Sequence, residues 1–124
     1  MQLKAVFFVF FLFSQLNTTC AQVENAVRFD TLEHDFGFIP RGLEAVFTFQ
    51  LMNKSGAPIT IDNVRATCSC TTADFDPETL LPVGANPFPV SYDARELGFF
   101  EKKVKVFVHG IRKPFVLVIV GEVQ

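Results

Sequence analysis

Two cysteines separated by one residue, Cys68 and Cys70 in the run Arg65-Ala66-Thr67-Cys68-Ser69-Cys70-Thr71-Thr72, have the clearest capacity for chemistry in this chain. Thiols can pack as small hydrophobes, oxidise to a bridge that another thiol reopens, or, as thiolates, hold a soft cation such as Cu(I). In an extended strand, side chains two apart share a face, so both sulfurs are expected to meet one environment. A regular strand sets their Cα atoms roughly 6.6 Å apart, at the upper end of the ~4.4–6.8 Å that a disulfide spans. Bridging them therefore requires a bend. Zinc asks for four ligands, and only His34, His109 and Met52 could complete a set with the cysteines. No sequence spacing brings those three close to the pair, so no metal or other cofactor is assigned.

Other chemistries find less support. Ser55, Ser69 and Ser91 lie in no nucleophile-elbow setting, and there is no glycine-rich phosphate loop. The Asp35-Phe36-Gly37 triplet lacks the companion motifs of a kinase. Asp74, Asp76 and Glu78 alternate like calcium ligands without the glycine and twelfth-position glutamate of an EF-hand loop, and read as a solvated loop. His34 falls in an alternating strand, where a hydrogen-bonded edge or core role is the ordinary one. The chain is accordingly read as a non-enzyme with no catalytic residues.

The elements that must hold the cysteine pair follow from composition and pattern. With 124 residues, 49% hydrophobic and 19% charged, the chain is sized for one compact domain. Its start reads as an address: Lys4 precedes the nine-residue apolar run Ala5 to Phe13, too short for the ~20 residues of a membrane-spanning helix and suited to a signal-peptide core. Small residues around Thr19-Cys20-Ala21 predict cleavage after Ala21, giving a signal peptide over 1–21 and a mature domain over 22–124. The protein is then exported, to the periplasm or beyond the cell. In a competing reading Cys20 becomes a lipidated N-terminus that anchors the domain to the envelope. The formal net charge is −2 and falls further if Lys4 leaves with the leader, which disfavours nucleic acid as a partner. The apolar run Phe115 to Val120 has strand length rather than membrane-spanning length, so no transmembrane span is expected.

Beyond the leader the alternation is that of strands. Val27–Thr31 and Glu33–Ile39 read as one first strand with a bulge or bend at Gly37. Phe47, Phe49 and Leu51 share a face, and a strand from Ile59 runs through Val64 toward the cysteines. Asp74 to Ala85 reads as an irregular connection. A strand over Phe88–Asp93 follows, for which Pro87 and Pro89 favour a sheet edge. In the strand opened by Gly98, Val104, Val106 and Val108 face in while Glu101, Lys103 and Lys105 face out. Lys102, Lys103, Lys105, Arg112 and Lys113 make a basic strip whose ordinary role is to keep an exposed sheet from pairing with a neighbour. His109–Pro114 forms a hairpin loop, and Phe115–Val120, apolar on both faces, suggests a central strand. Neighbouring strands joined by tight turns are expected to pair antiparallel. About seven short strands and no helical period point to an all-β, immunoglobulin-like antiparallel β-sandwich. Eleven of the sixteen phenylalanines lie beyond Ala21. At ~1.5–3 kcal/mol per buried large side chain, such a core holds without a cross-sheet disulfide.

The blocks His34-Asp35-Phe36-Gly37-Phe38-Ile39, Phe47 to Gly56, Cys68-Ser69-Cys70-Thr71, Pro82-Val83-Gly84, Tyr92-Asp93 and Gly98-Phe99-Phe100-Glu101-Lys102 occur in the order seen in the DUF1573 family, which the chain resembles over essentially the whole mature region. That family consists of exported bacterial domains frequent in Bacteroidetes. The resemblance implies an immunoglobulin-like sandwich similar to interaction domains of the ASPM-SPD-2-hydin and major-sperm-protein type, with no biochemical role attached. The family's middle residue is usually glycine, where this chain has Ser69, and serine enters positive φ less freely. Two functions remain open: a binding module for an unknown envelope protein or surface component, and a thiol-redox or Cu(I) protein centred on Cys68 and Cys70.

Overall fold

The computed structural model describes residues 26–124, so the signal-peptide assignment, the cleavage point after Ala21 and the lipidation reading of Cys20 lie outside the described residues. From Val27 onward every element is a strand: β1 (Val27–Phe29), β2 (Glu33–Ile39), β3 (Ala45–Asn53), β4 (Ile61–Ala66), β5 (Thr71–Ala73), β6 (Gly84–Tyr92), β7 (Gly98–Val108) and β8 (Phe115–Val123). They form two four-stranded sheets, ordered β1-β3-β6-β5 and β2-β8-β7-β4. This is the constant-type immunoglobulin arrangement with one extra strand beside the last.

Alternation explains why these residues pack as two stacked layers. Phe49 and Leu51 of β3 and Phe88, Val90 and Tyr92 of β6 face Val104, Val106 and Val108 of β7 and Leu117, Ile119 and Val123 of β8, all buried. Phe29 ties the layers together, meeting Phe49, Phe88 and Phe115 edge-on at centroid distances of 6.4, 5.7 and 5.3 Å, an arrangement that adds to simple burial. Glu101, Lys103 and Lys105 point outward, as the pattern required, and β8 is central.

Several expectations are corrected. The first strand is two: after Phe29 the chain leaves one sheet at Asp30–Leu32, and β2 joins the other, pairing parallel to β8. The Gly37 irregularity is present, at φ +67°, as a register shift between Asp35 and Phe38. Of the strands adjacent in sequence only β5–β6 and β7–β8 pair, because most turns carry the chain across the sandwich rather than back along one sheet.

β6 begins at Gly84 and lies inside its sheet, not at an edge. Its prolines are tolerated because β5 covers only Val90 to Tyr92. Pro89 turns its carbonyl toward that side, accepting from the Asp74 N–H at 3.1 Å, so the missing proline N–H groups face away from the β3 ladder. β7 is interior too, so Lys103 and Lys105 shield the outer face of a sheet and not its edge.

Candidate functional site

Cys68 and Cys70 do not lie in a strand. They occupy the four-residue corner, Thr67 to Cys70, where the chain crosses from β4 in one sheet to β5 in the other. Each side of the corner is tied to a different sheet: the Thr67 N–H donates to the Lys103 carbonyl of β7 at 3.0 Å, and the Asp93 N–H donates to the Cys70 carbonyl at 3.0 Å. The Lys103 N–H also donates to Thr67 Oγ1 at 3.3 Å. Breaking the strand here brings the two Cα atoms to 5.2 Å, and the cysteines are bridged. The bend that a bridge requires is supplied by the crossover. Ser69 makes it without positive φ, since Ala94 is the one non-glycine with positive φ among the described residues.

The bridge is half-exposed and forms one wall of a cleft of about 280 Å³ also lined by Tyr92, Asp93, Arg95, Glu96 and Lys102. Lys102 belongs to the inward register of β7, two residues before buried Val104, and so reaches this cleft where the sheets part. Arg95 Nε lies 3.5 Å from Asp93 Oδ2. Tyr92 stacks on Phe100 at 4.1 Å, and burial raises its hydroxyl above the ordinary phenol range, with the Asp93 and Glu96 carboxylates acting the same way. The adjoining turn holds buried Ala94 at φ +55°, a left-handed conformation costing about 1–2 kcal/mol. The Gly42 N–H fixes it by donating to the Ala94 carbonyl at 2.9 Å. Beneath the cysteines, buried Thr71 places its hydroxyl 3.8 Å from each sulfur.

The other candidate ligands are elsewhere occupied. His34 stacks on Phe47 at 3.7 Å between the sheets, and His109 Nδ1 lies 3.1 Å from Asp62 Oδ1 on the far hairpin. Met52 sits in β3 opposite Arg28. No group of three or more His, Cys, Asp or Glu side chains among the described residues could hold a metal ion.

A second feature at the same end escaped the sequence reading. Phe38 of β2 and Phe99 of β7 both register with Glu122 of β8, so they flank its carboxylate on the outer face. They are 70% and 73% exposed. Asp35, Gly37, Gly121 and Glu122 complete a shallow cleft between them. Leu43 and Leu97, in loops of this same end, are also exposed. Alternation with buried Phe100 places Phe99 outside; what was not legible is that the Gly37 bulge turns Phe38 out beside it.

The strand order and packing define an immunoglobulin-like sandwich, and solved structures share it. The ASH/PapD-like domain 7 of human CEP192 matches with TM-score 0.66 and 10% identity over 89% of this chain and 91% of that one. A protein of unknown function from Porphyromonas gingivalis W83 matches with TM-score 0.65 and 14% identity over 78% of this chain and 46% of that one. The Vibrio cholerae VesB protease matches with TM-score 0.58 and 16% identity over 79% of this chain. This chain spans 32% of VesB, so the likeness is to one part of a larger protein and is a likeness of fold. No curated protein matches. Residues 27–123 match the model of DUF1573, a protein family of unknown function, and the chain belongs to that family. No helix among the described residues is long and apolar enough to cross a membrane.

Proposed function

We propose that this chain is an exported, non-enzymatic binding module that holds a protein partner at the end of the sandwich bearing Phe38 and Phe99. The observation that carries the reading is the exposure of that pair, 70% and 73%, in a domain whose other phenylalanines on β3, β6 and β7 are largely packed. Leaving a large aromatic out of a core forgoes on the order of 2 kcal/mol, and paired exposed aromatics around a polar group are typical of contact surfaces. Glu122 lies between the rings, and Asp35 lines the same cleft. A cationic side chain flanked by apolar residues therefore fits, gaining from both the carboxylates and the aromatic faces. Export is supported by the apolar run Ala5 to Phe13 and by a disulfide in the domain, a bond that persists in oxidising compartments.

Affinity capture from an envelope fraction tests the contact, comparing the wild-type domain with Phe38→Ser/Phe99→Ser and with Glu122→Gln. A partner held by the wild type and lost from the double variant supports the reading. Equal retention by all three, or retention by none, refutes it. Mass spectrometry of the native protein is expected to show a chain beginning at Gln22. An acyl group on Cys20 would replace the free module by an anchored one, and an intact leader would remove the export proposal.

A further inference from the structure

We propose that the Cys68–Cys70 bridge is a thiol–disulfide exchange site, with Thr71 as the residue that stabilises the leaving thiolate. Three observations independent of the aromatic surface carry this. The bridge joins residues two apart, so it closes only a very short loop, whose two sides are already tied to the sheets by the Thr67 and Cys70 backbone hydrogen bonds. It stands half-exposed in a cleft of about 280 Å³, open to an incoming sulfur. And the Thr71 side chain, 2% exposed, makes its hydroxyl contacts among the described residues with these two sulfurs alone, at 3.8 Å each. Bridged sulfurs carry no proton, so the hydroxyl is the donor in both contacts. A neutral disulfide is a weak acceptor, whereas a thiolate is a strong one. A buried hydroxyl shared between two sulfurs thus favours the opened form of the bridge over the closed one.

Cys70 packs against the hydrophobic core and Cys68 does not, which directs attack to Cys68. The thiolate of an exported polypeptide bearing two thiols attacks Cys68 Sγ; the new S–S bond forms as the Cys68–Cys70 bond breaks, and its electron pair leaves on Cys70 Sγ, where Thr71 Oγ1–H donates to it. The partner's second thiolate then attacks its own sulfur in the mixed disulfide and expels Cys68 as a thiolate. The partner ends as a disulfide, oxidised by two electrons, and the Cys68–Cys70 pair ends reduced, taking up the two protons that the partner's thiols released. Lys102 adds a positive charge to the cleft, Glu96 a negative one, and Arg95 and Asp93 pair with each other. The local selectivity for thiolate therefore rests chiefly on the hydroxyl.

The test uses the folded protein with glutathione and glutathione disulfide, followed by alkylation with iodoacetamide across pH. The bridge is expected to open and close reversibly without loss of the native circular dichroism. Thr71→Val, which removes the hydroxyl at constant shape, is expected to raise the apparent thiol pKa by about one unit. Thiolate then falls tenfold while its intrinsic reactivity rises about 2.5-fold, so alkylation at neutral pH slows about fourfold. Thr71→Ser restores the wild-type profile. Should Thr71→Val not fold, peptide mapping of the wild-type mixed disulfide is read instead, with glutathione expected on Cys68 and the free thiol on Cys70; the reverse placement overturns the proposal. A bridge reduced only on unfolding, or variant profiles that coincide with wild type, would overturn the proposal.

Discussion

Replacing both cysteines, Cys68→Ser/Cys70→Ser, separates a structural staple from a chemical site. A bridge between residues two apart closes a loop of about three residues, for which the chain-entropy relation gives roughly 1.6 kcal/mol. The corner keeps its other ties after the substitution: the Thr67 N–H to Lys103, the Asp93 N–H to Cys70 and the Thr67 hydroxyl from Lys103 are hydrogen bonds that involve no sulfur. The buried core, from Val27 through Val123, meets the bridge only at Cys70, which packs against it partly buried. Roughly 1.6 kcal/mol is a minor share of the ~5–15 kcal/mol typical of a domain. In a domain near this size each kcal/mol shifts Tm by about 4–8 °C, so a fall of about 6–13 °C is expected, with an unchanged urea m-value. Circular dichroism melts of the double variant, and of wild type with and without reductant, provide the measurement. Agreement between the reduced wild type and the double variant supports an account in which the packed sheets hold the corner. A loss well above ~3 kcal/mol, or a variant with no cooperative transition, would show that the corner depends on its covalent link and that the division between stability and chemistry is wrong.

Gly121→Ala places a Cβ 2.8 Å from Phe100 Cζ and 3.0 Å from the Gly37 carbonyl oxygen. Because one of these neighbours is backbone, overpacking of about 1–3 kcal/mol is expected, read as a lowered urea midpoint. Tyr92 is the only tyrosine of the chain, and there is no tryptophan, so its ionisation can be followed directly by ultraviolet absorbance. Its raised pKa means the folded domain holds the phenol proton more tightly than the unfolded chain. That contribution is complete below the ordinary value of about 10 and is lost as pH rises through the raised one. Stability should therefore decline in strong alkali for wild type and decline less for Tyr92→Phe; a tyrosinate transition at the ordinary position would contradict this.

How far the sequence could be read depended on whether the deciding physics was local. The in-and-out pattern of β3 and β7 was legible because a period of two is written residue by residue, and the same alternation places Lys102 on the inner face. The division of Val27–Ile39 into strands of opposite sheets was not legible. Phe29 and Phe36 are apolar whichever layer receives them, and the partner that decides is β8, some eighty residues away. The prolines at 87 and 89 were read for a true constraint, an N–H that cannot donate, but that constraint fixes one side of a strand and not its place in a sheet. At the cysteines the error was to extend the strand through them. The crossover between layers lies in the Thr67–Cys70 corner, and only the positions of β6 and β7 reveal it. The Phe38 surface likewise needed the Gly37 bulge to be placed in register before its neighbour Phe99 could be identified.

The last strand has a consequence for how the chain reaches this form. β8, the final nine-residue strand, is flanked on both sides, by β2 near the start and by β7 just before it. Its layer therefore has no centre while the polypeptide is incomplete. A chain emerging N-terminus first from a ribosome holds β2 without a neighbour in its sheet until β8 arrives, and long-separated pairings of this kind form slowly. The domain is in effect locked from its tail: shortening it by one strand would remove the piece against which both flanking strands register.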